Sequence, residues 1–240
     1  MNYTREAAIL QDQIPGQLLP ILQGDAFIAG GAVTSIFSSA KVNDLDVYFY
    51  TPAALTKGIQ QITPVIQHLS DKTIHTDNAL SFVLDDRRVQ FVKIVTGTPP
   101  EVLAQFDFTI CQGAFIAVEH GLGQFVFGKD FLQHLAQRRL VFNTTTKFPI
   151  CSLFRLRKFL KRGFSFSGIE AIKLGLAIQN LDIDNYEDLR AQLMGIDTLF
   201  LKELTDSLKG DAQRVYNMNE FLSTLEGWLD RLDAMTGGEE

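Results

Sequence analysis

Up to about residue 145 the apolar positions come in short runs separated by Gly, Pro, Asp and Asn. Beyond that point they recur at helical spacing. YTREAAILQDQ (3–13) reads as an amphipathic helix broken at Pro15-Gly16, and QLLPILQG as a second helical piece closed by Gly24. AFIAGGAV is an apolar strand running into a glycine pair, VTSIFSSA a short helix, and LDVYFY a strongly β-prone run. Thr51-Pro52 has the form of an N-cap followed by proline at the first helical position, opening PAALTKGIQQITPVIQHLS. ALSFVLDDRRVQFVKIV predicts a hairpin whose polar tip is Asp85-Asp86-Arg87-Arg88. Thr98-Pro99-Pro100-Glu101 starts a short helix reaching about Gln105. FDFTICQGAFIAV and QFVFG then predict strands on either side of the turn EHGLG. KDFLQHLAQRR reads as a short helix and LVFN as a last strand.

After about residue 147 the β pattern stops. CSLFRLRKFLKRG, GIEAIKLGLAIQN, YEDLRAQLMG, DTLFLKELTDSL and AQRVYNMNEFLSTLEGWLDRLDAM all carry apolar residues at helical spacing. The expected architecture is an α/β (α+β) module with a twisted mixed sheet over residues 1–147, followed by an all-helical module over 148–240.

Composition narrows this picture. Hydrophobic residues at 46% and charged residues at 21% belong to a folded chain, and 19 Phe against 1 Trp predicts a core packed with phenyl rings. A net charge of −6 argues against a protein that coats nucleic acid over its whole surface, while leaving room for a local basic groove. Cys111 and Cys151 stand in apolar runs without CxxC spacing or a suitably spaced His, so they read as small core residues. MNYTREAAIL lacks the apolar core of a signal peptide, and no apolar run reaches membrane-span length. A cytoplasmic protein without membrane association is expected.

The chemistry concentrates in GGAVTSIFSSAKVNDLDVYFY, residues 30–50. Gly30-Gly31 at the mouth of a short helix allows a tight turn and close backbone approach, and the exposed N–H groups of such a turn suit phosphate. Asp44 and Asp46 enter a strand with Leu45 between them, so their carboxylates share one face about 7 Å apart along the chain. Hard oxygen donors so placed suit Mg²⁺, or Mn²⁺, which would share its remaining ligand positions with phosphates. Ser35, within the turn helix, is a further candidate for the β- or γ-phosphate.

An apolar strand, Gly-Gly, a short helix and Asp-x-Asp entering a second strand together resemble the signature of the DNA polymerase β nucleotidyltransferase superfamily, which includes poly(A) polymerases and CCA-adding enzymes. The resemblance spans residues 25 to about 165. It implies that Gly30-Gly31 hold an incoming nucleoside triphosphate and that Asp44 and Asp46 bind two metal ions, which activate the hydroxyl nucleophile and stabilise the leaving pyrophosphate. The reaction would transfer a nucleoside monophosphate to a hydroxyl and release pyrophosphate. It also implies a third strand carboxylate. RVQFVKIV offers Gln90 where that acid is expected, which leaves Asp107 in QFDFTICQ as the third acid or the site with none. On a strand, Asp107, Thr109 and Cys111 would share one face, with Phe106 and Phe108 on the core face. VQFV through PPEVLAQFDFTICQ, and the helix entry LFRLRKFLKRGFSF, are similar to segments of large-virus and bacteriophage nucleotidyltransferases.

Seven basic residues and one acid lie between Lys147 and Lys173. Arg155, Lys158, Lys161 and Arg162 among them are candidates for the triphosphate or an RNA backbone, with Leu153, Phe154, Leu156, Phe159 and Leu160 as the buried stripe. An RNA 3′ end, tRNA above all, is the first choice of acceptor. A protein or small-molecule hydroxyl is the second, and a noncatalytic nucleotide- or RNA-binding protein the third. His68, His75, His120 and His134 show no metal-ligand spacing, and GLGQFVFG leads into β-prone residues where a dinucleotide fingerprint would need a helix.

Overall fold

The computed structural model describes residues 3–68, 73–193 and 219. The two last segments expected as helices, within 197–235, lie outside the described residues apart from Asn219. The chain opens with α1 (Thr4–Gln11) and α2 (Leu19–Leu22), then β1 (Ala26–Ala29), α3 (Gly31–Phe37), β2 (Asp44–Phe49) and α4 (Pro52–Ile66). Strands β3 (Ile74–His75), β4 (Ala79–Leu84) and β5 (Arg87–Thr96) precede α5 (Pro99–Leu103), β6 (Gly113–Ile116) and β7 (Gln124–Phe127). There follow α6 (Phe131–Ala136), β8 (Arg139–Leu140), α7 (Pro149–Lys161), β9 (Ser165–Phe166), α8 (Gly168–Gln179) and α9 (Tyr186–Gln192).

Seven strands form one mixed sheet in the order β3-β4-β5-β2-β1-β6-β7, so the α/β expectation holds. All its pairings are antiparallel except β2 with β5. Local chemistry explains the main elements. Thr51 Oγ1 accepts the Ala54 N–H at 3.1 Å and caps α4. Asp85 and Asp86, at φ 48° and 60°, form the two-residue turn that joins β4 to β5, in the left-handed conformation that matches hairpin twist. The Thr98 N–H donates to Glu101 Oε2 at 2.8 Å, the return half of a capping box on α5.

Alternation on β2 decides what each face of the sheet does. Leu45, Val47 and Phe49 are buried, and with Val89, Phe91, Leu80 and Phe82 they pack under α1, α3 and α4 as the main core. At Gly58 of α4 a Cβ would stand 2.5 Å from Phe49 Cε1, so the absence of a side chain lets this helix lie on the sheet. The opposite face carries Asp44, Asp46 and Tyr48, all half-buried. A smaller cluster of Phe27, Ala29, Val102, Leu103 and Ala114 covers part of that face beneath α5.

Two expectations are corrected. Residues 106–112 are not a strand: Thr109–Cys111 form a 3-10 turn, and the strand begins at Gly113. The backbone there bonds instead to the 141–143 segment, with Thr109 N–H to Val141 O at 3.1 Å and Asn143 N–H to Asp107 O at 2.7 Å. Nor does β structure stop at 147, because β9 pairs in parallel with β8, Arg139 opposite Ser165 and Leu140 opposite Phe166. Phe159 of α7 stacks edge-on against Phe108, ring centroids 5.7 Å apart. Buried Glu170 of α8 accepts the Phe142 N–H at 2.7 Å, so α7 and α8 are fastened to the sheet-bearing part.

Candidate active site

Gly30 adopts φ 81° and ψ −127°, a conformation essentially confined to glycine, and its N–H donates to Gly113 O at 2.9 Å. The chain thereby leaves β1 and turns at once into α3. A Cβ on Gly30 would lie 3.3 Å from Phe106 Cε2 and 3.9 Å from Asp46 Oδ2, so the glycine turn rests directly against the second carboxylate of β2. Gly31, the first residue of α3, is exposed, with nothing within 4 Å of a Cβ placed on it. Turn and carboxylates meet here because Ala29 of β1 pairs with Asp46 of β2. Ser35 is 6% exposed, so its side chain is largely withdrawn from the surface of the turn.

Strand register identifies the neighbours of the two carboxylates on their own face. On β5, Arg88 lies beside Asp44 and Gln90 beside Asp46, and on β4 Ser81 lies beside Gln90. The residue expected from sequence to replace the third acid is thus the cross-strand neighbour of Asp46. Ser81 is buried, and its Oγ is one of two buried side-chain polar atoms without a hydrogen-bond partner among the described residues.

Asp107 is 4% exposed and committed elsewhere. Its Oδ1 accepts the Phe108 N–H at 2.9 Å and faces Arg155 Nη1 at 3.1 Å. Arg155 Nη2 also donates to Cys111 Sγ at 3.3 Å. Burial opposes the charge of Arg155, but Asp107 and then Cys111 more than offset this, and the guanidinium stays protonated. Burial pushes the Cys111 thiol up to about 12, against the pull of Arg155, so it is no thiolate nucleophile at neutral pH.

Tyr48, missed by sequence reasoning, completes the cluster. Burial first, and then the charge of Asp46, drive its phenol well above the usual tyrosine range, while Arg155 pulls the other way. Its ring stacks on Phe27 at 6.0 Å and tilts against Phe106 at 5.5 Å. The signal was available: Tyr48 follows Asp44 and Asp46 at the same two-residue interval.

The four basic candidates, three on α7 and Arg162 at its C-cap, separate. Arg155 points inward at the level of buried Ser152 and Phe159, one helical face at spacings of three and four residues. Lys158, Lys161 and Arg162 are exposed. The expected buried stripe holds at Phe159 but not at Leu153 and Leu160, which are 49% and 46% exposed.

A family model described as Gabija anti-defense 2 family protein matches residues 5–138. The chain belongs to the Gabija anti-defense 2 family. A curated relative of that name from Bacillus phage SPbetaL7 is 32% identical over 198 residues, 82% of this chain and 48% of the relative. The chain therefore spans about half the length of that curated relative. Among solved structures, a Thermotoga maritima CCA-adding enzyme complexed with tRNA matches at a TM-score of 0.55, with 16% identity over 83% of this chain and 53% of that one. A CCA-adding enzyme with CTP matches at 0.55, with 15% identity over 89% and 56%. At such identities the likeness is one of fold, and this family member shares the fold of CCA-adding enzymes.

Proposed function

We propose that this chain is a divalent-metal-dependent nucleotidyltransferase that moves a nucleoside monophosphate from a nucleoside triphosphate to an acceptor hydroxyl. The observation that carries the reading is the seating of the Gly30 turn against Asp46, with a Cβ built on Gly30 3.9 Å from Oδ2, which supports reading the pair as an anion-binding turn beside a metal-binding carboxylate. The donors fit the metal: Asp44 and Asp46 are half-buried, share a face and offer hard carboxylate oxygens to Mg²⁺ or Mn²⁺. When bound, the cation supplies charge neutralisation at the triphosphate and polarisation of the attacked phosphate.

The chain's own residues would do the rest. Gly30, its own N–H held by Gly113 O, would shape the turn, and Gly31 at the exposed start of α3 would present its backbone N–H to the triphosphate. Tyr48 and Phe106 wall the floor of the site and exclude water beside Asp46. Arg155, fixed by Asp107, stands ready to stabilise negative charge on the leaving pyrophosphate. The helical part from residue 148, fastened to the sheet-bearing part through β9 and Glu170, would lie on the acceptor side, with exposed Lys158, Lys161 and Arg162 meeting an RNA backbone. An RNA 3′ end, tRNA above all, is the preferred acceptor, and the family's name supports an action that counters Gabija defence.

Incubating the chain with labelled triphosphates, Mg²⁺ or Mn²⁺ and total RNA tests this. Labelled RNA is expected, and labelling should vanish in the Asp44→Ala, Asp46→Ala double variant while its circular dichroism is unchanged. Labelling that survives in that variant sinks the metal assignment. Gln90 beside Asp46 favours one second reading, a noncatalytic nucleotide-binding protein, which the same experiment would reveal as binding without turnover.

A further inference from the structure

We propose that a cavity at the far end of α3 from the glycine turn holds one unpaired nucleotide of an RNA strand, its base against Phe37 and Phe164 and its flanking phosphates on Arg138 and Arg162. The proposal rests on the reading of the chain as acting on RNA, and names a second place where that RNA is gripped. The seven residues of α3 separate the two places by about 10 Å along the helix, so the nucleotide held here is not the reacting end.

The ends of α3, α6 and α7 meet around a cavity of about 560 Å³ lined by Phe37, Leu132, Leu135 and Phe164 together with Arg138 and Arg162. Small-ligand sites span roughly 300–1,000 Å³, so there is room for one nucleoside. The aromatic walls are backed by the core: Phe37 meets Phe125 and Phe127 edge-on at 5.0 and 5.2 Å, and Phe164 meets Phe159 at 5.7 Å. Rings fixed in this way offer a base a surface to lie on, whatever its identity. Both arginines are exposed, and no Asp or Glu among the described residues lines the cavity. The sequence shows the same bias, with eight Lys or Arg and no acid between Asp130 and Glu170. Pairing of β8 with β9 brings two parts of that basic run together, and Arg138 Nη1 donates to Arg162 O at 3.0 Å.

The backbone around the cavity is unusual. Ser39, Arg138 and Gly163 close α3, α6 and α7 at φ 55°, 48° and 79°, a left-handed position that glycine ordinarily takes. Four non-glycine residues among the described ones have this conformation. Two of them, Asp85 and Asp86, form the hairpin tip, and the other two, Ser39 and Arg138, both line this cavity. Such conformations persist where neighbours fix them, and they gather at ligand sites. Arg138 is fixed by the Ser165 N–H, which donates to its carbonyl at 2.7 Å. The three helix ends also sort the ligand's parts. Their carbonyl ends repel a phosphate and suit the N–H donors of a base edge, so phosphates are confined to the two guanidinium groups while the base enters. A paired base is stacked inside its helix and cannot enter, which restricts the partner to an unpaired stretch.

The test measures binding of a short, fluorescently labelled single-stranded RNA of mixed sequence to the full chain by anisotropy over a range of salt, without triphosphate or divalent metal. The strand is expected to bind at least tenfold more tightly than a fully paired duplex of the same sequence. Ala136→Trp fills the cavity from an exposed position on α6 and should weaken strand binding at least tenfold with the salt slope unchanged. Arg138→Gly suits the left-handed backbone, so it removes the cation without a folding penalty, and should weaken binding while lowering the salt slope by about one. The Asp44→Ala, Asp46→Ala double variant should bind the strand as the unaltered chain does. Equal affinity for strand and duplex, or an Ala136→Trp variant that binds normally, would reduce the region to a nonspecific basic surface and overturn the proposal while leaving RNA labelling standing. A free nucleoside monophosphate that displaces the strand at the strand's own concentration would overturn it too. Failure of the unaltered chain to bind any RNA would instead remove RNA as the acceptor, and the proposal with it.

Discussion

Arg155 Nη1 lies 3.1 Å from Asp107 Oδ1, tying α7 to the segment whose Phe106 ring lies against the Gly30 turn. Asp107 is almost without solvent contact whereas Arg155 is 35% exposed, so the two partners differ in what they lose when separated. Arg155→Met leaves an uncompensated buried carboxylate and is expected to cost about 2–4 kcal/mol, reduced from the fully buried case because Arg155 is partly solvated. Asp107→Asn, which keeps an acceptor for the Phe108 N–H, should cost less. Urea unfolding of both single variants and the double variant measures the coupling, and independent, additive effects would contradict a paired role.

The Gly30 turn should be intolerant where its neighbour is not. Gly30→Ala introduces a Cβ at φ 81° and 3.3 Å from Phe106, a strain of about 1–3 kcal/mol, whereas Gly31→Ala meets nothing. Thermal melts should show a several-degree loss for Gly30→Ala and almost none for Gly31→Ala. Triphosphate binding should fall in the first even at temperatures where it is folded.

Tyr48 separates packing from chemistry. Tyr48→Phe retains the contacts with Phe27 and Phe106 and should change stability by less than about 1 kcal/mol, while Tyr48→Ala, which opens a hole beneath α5, should cost about 3–5 kcal/mol. Nucleotide transfer by Tyr48→Phe that equals the unaltered chain would show that the hydroxyl takes no part in the site.

Glu170 holds α8 in place with a buried carboxylate that accepts the Phe142 N–H at 2.7 Å and meets Lys173 Nζ at 2.9 Å. Glu170→Ala leaves that amide unsatisfied, at about 1–3 kcal/mol. Hydrogen exchange at Phe142 should accelerate in the variant well beyond its neighbours on β8. Uniform acceleration across the chain would mean global destabilisation only.

Stability should fall on the alkaline side. Burial raises the Cys111 thiol from 9.0 to about 12, so the unfolded chain releases this proton first as pH rises. The contribution is intact below about pH 9 and is lost progressively toward 12, at up to about 1.4 kcal/mol per pH unit. Between pH 9 and 11, Cys111→Ala should therefore lose less stability than the unaltered chain in parallel urea titrations. Equal slopes would disprove the buried-thiol account.

By itself the sequence determined what depends on near neighbours. The period-two pattern of Asp44, Leu45 and Asp46 set which side chains share a face, because successive strand residues point oppositely. Gly30-Gly31 marked the turn, and Asp85-Asp86 the hairpin tip, through the backbone conformations they tolerate. Alternation misled at Phe106–Gln112, where apolar and polar residues alternate yet the backbone bonds to residues 141–143, a choice made by partners more than 25 positions away. Only the tertiary structure decided that Gln90 stands beside Asp46, because strand register across a crossover is set by packing of the whole sheet. It also decided that Asp107 faces Arg155 instead of joining the β2 acids. Distance along the chain carries no information about which charge a buried carboxylate will meet, and here that meeting commits Asp107 to Arg155.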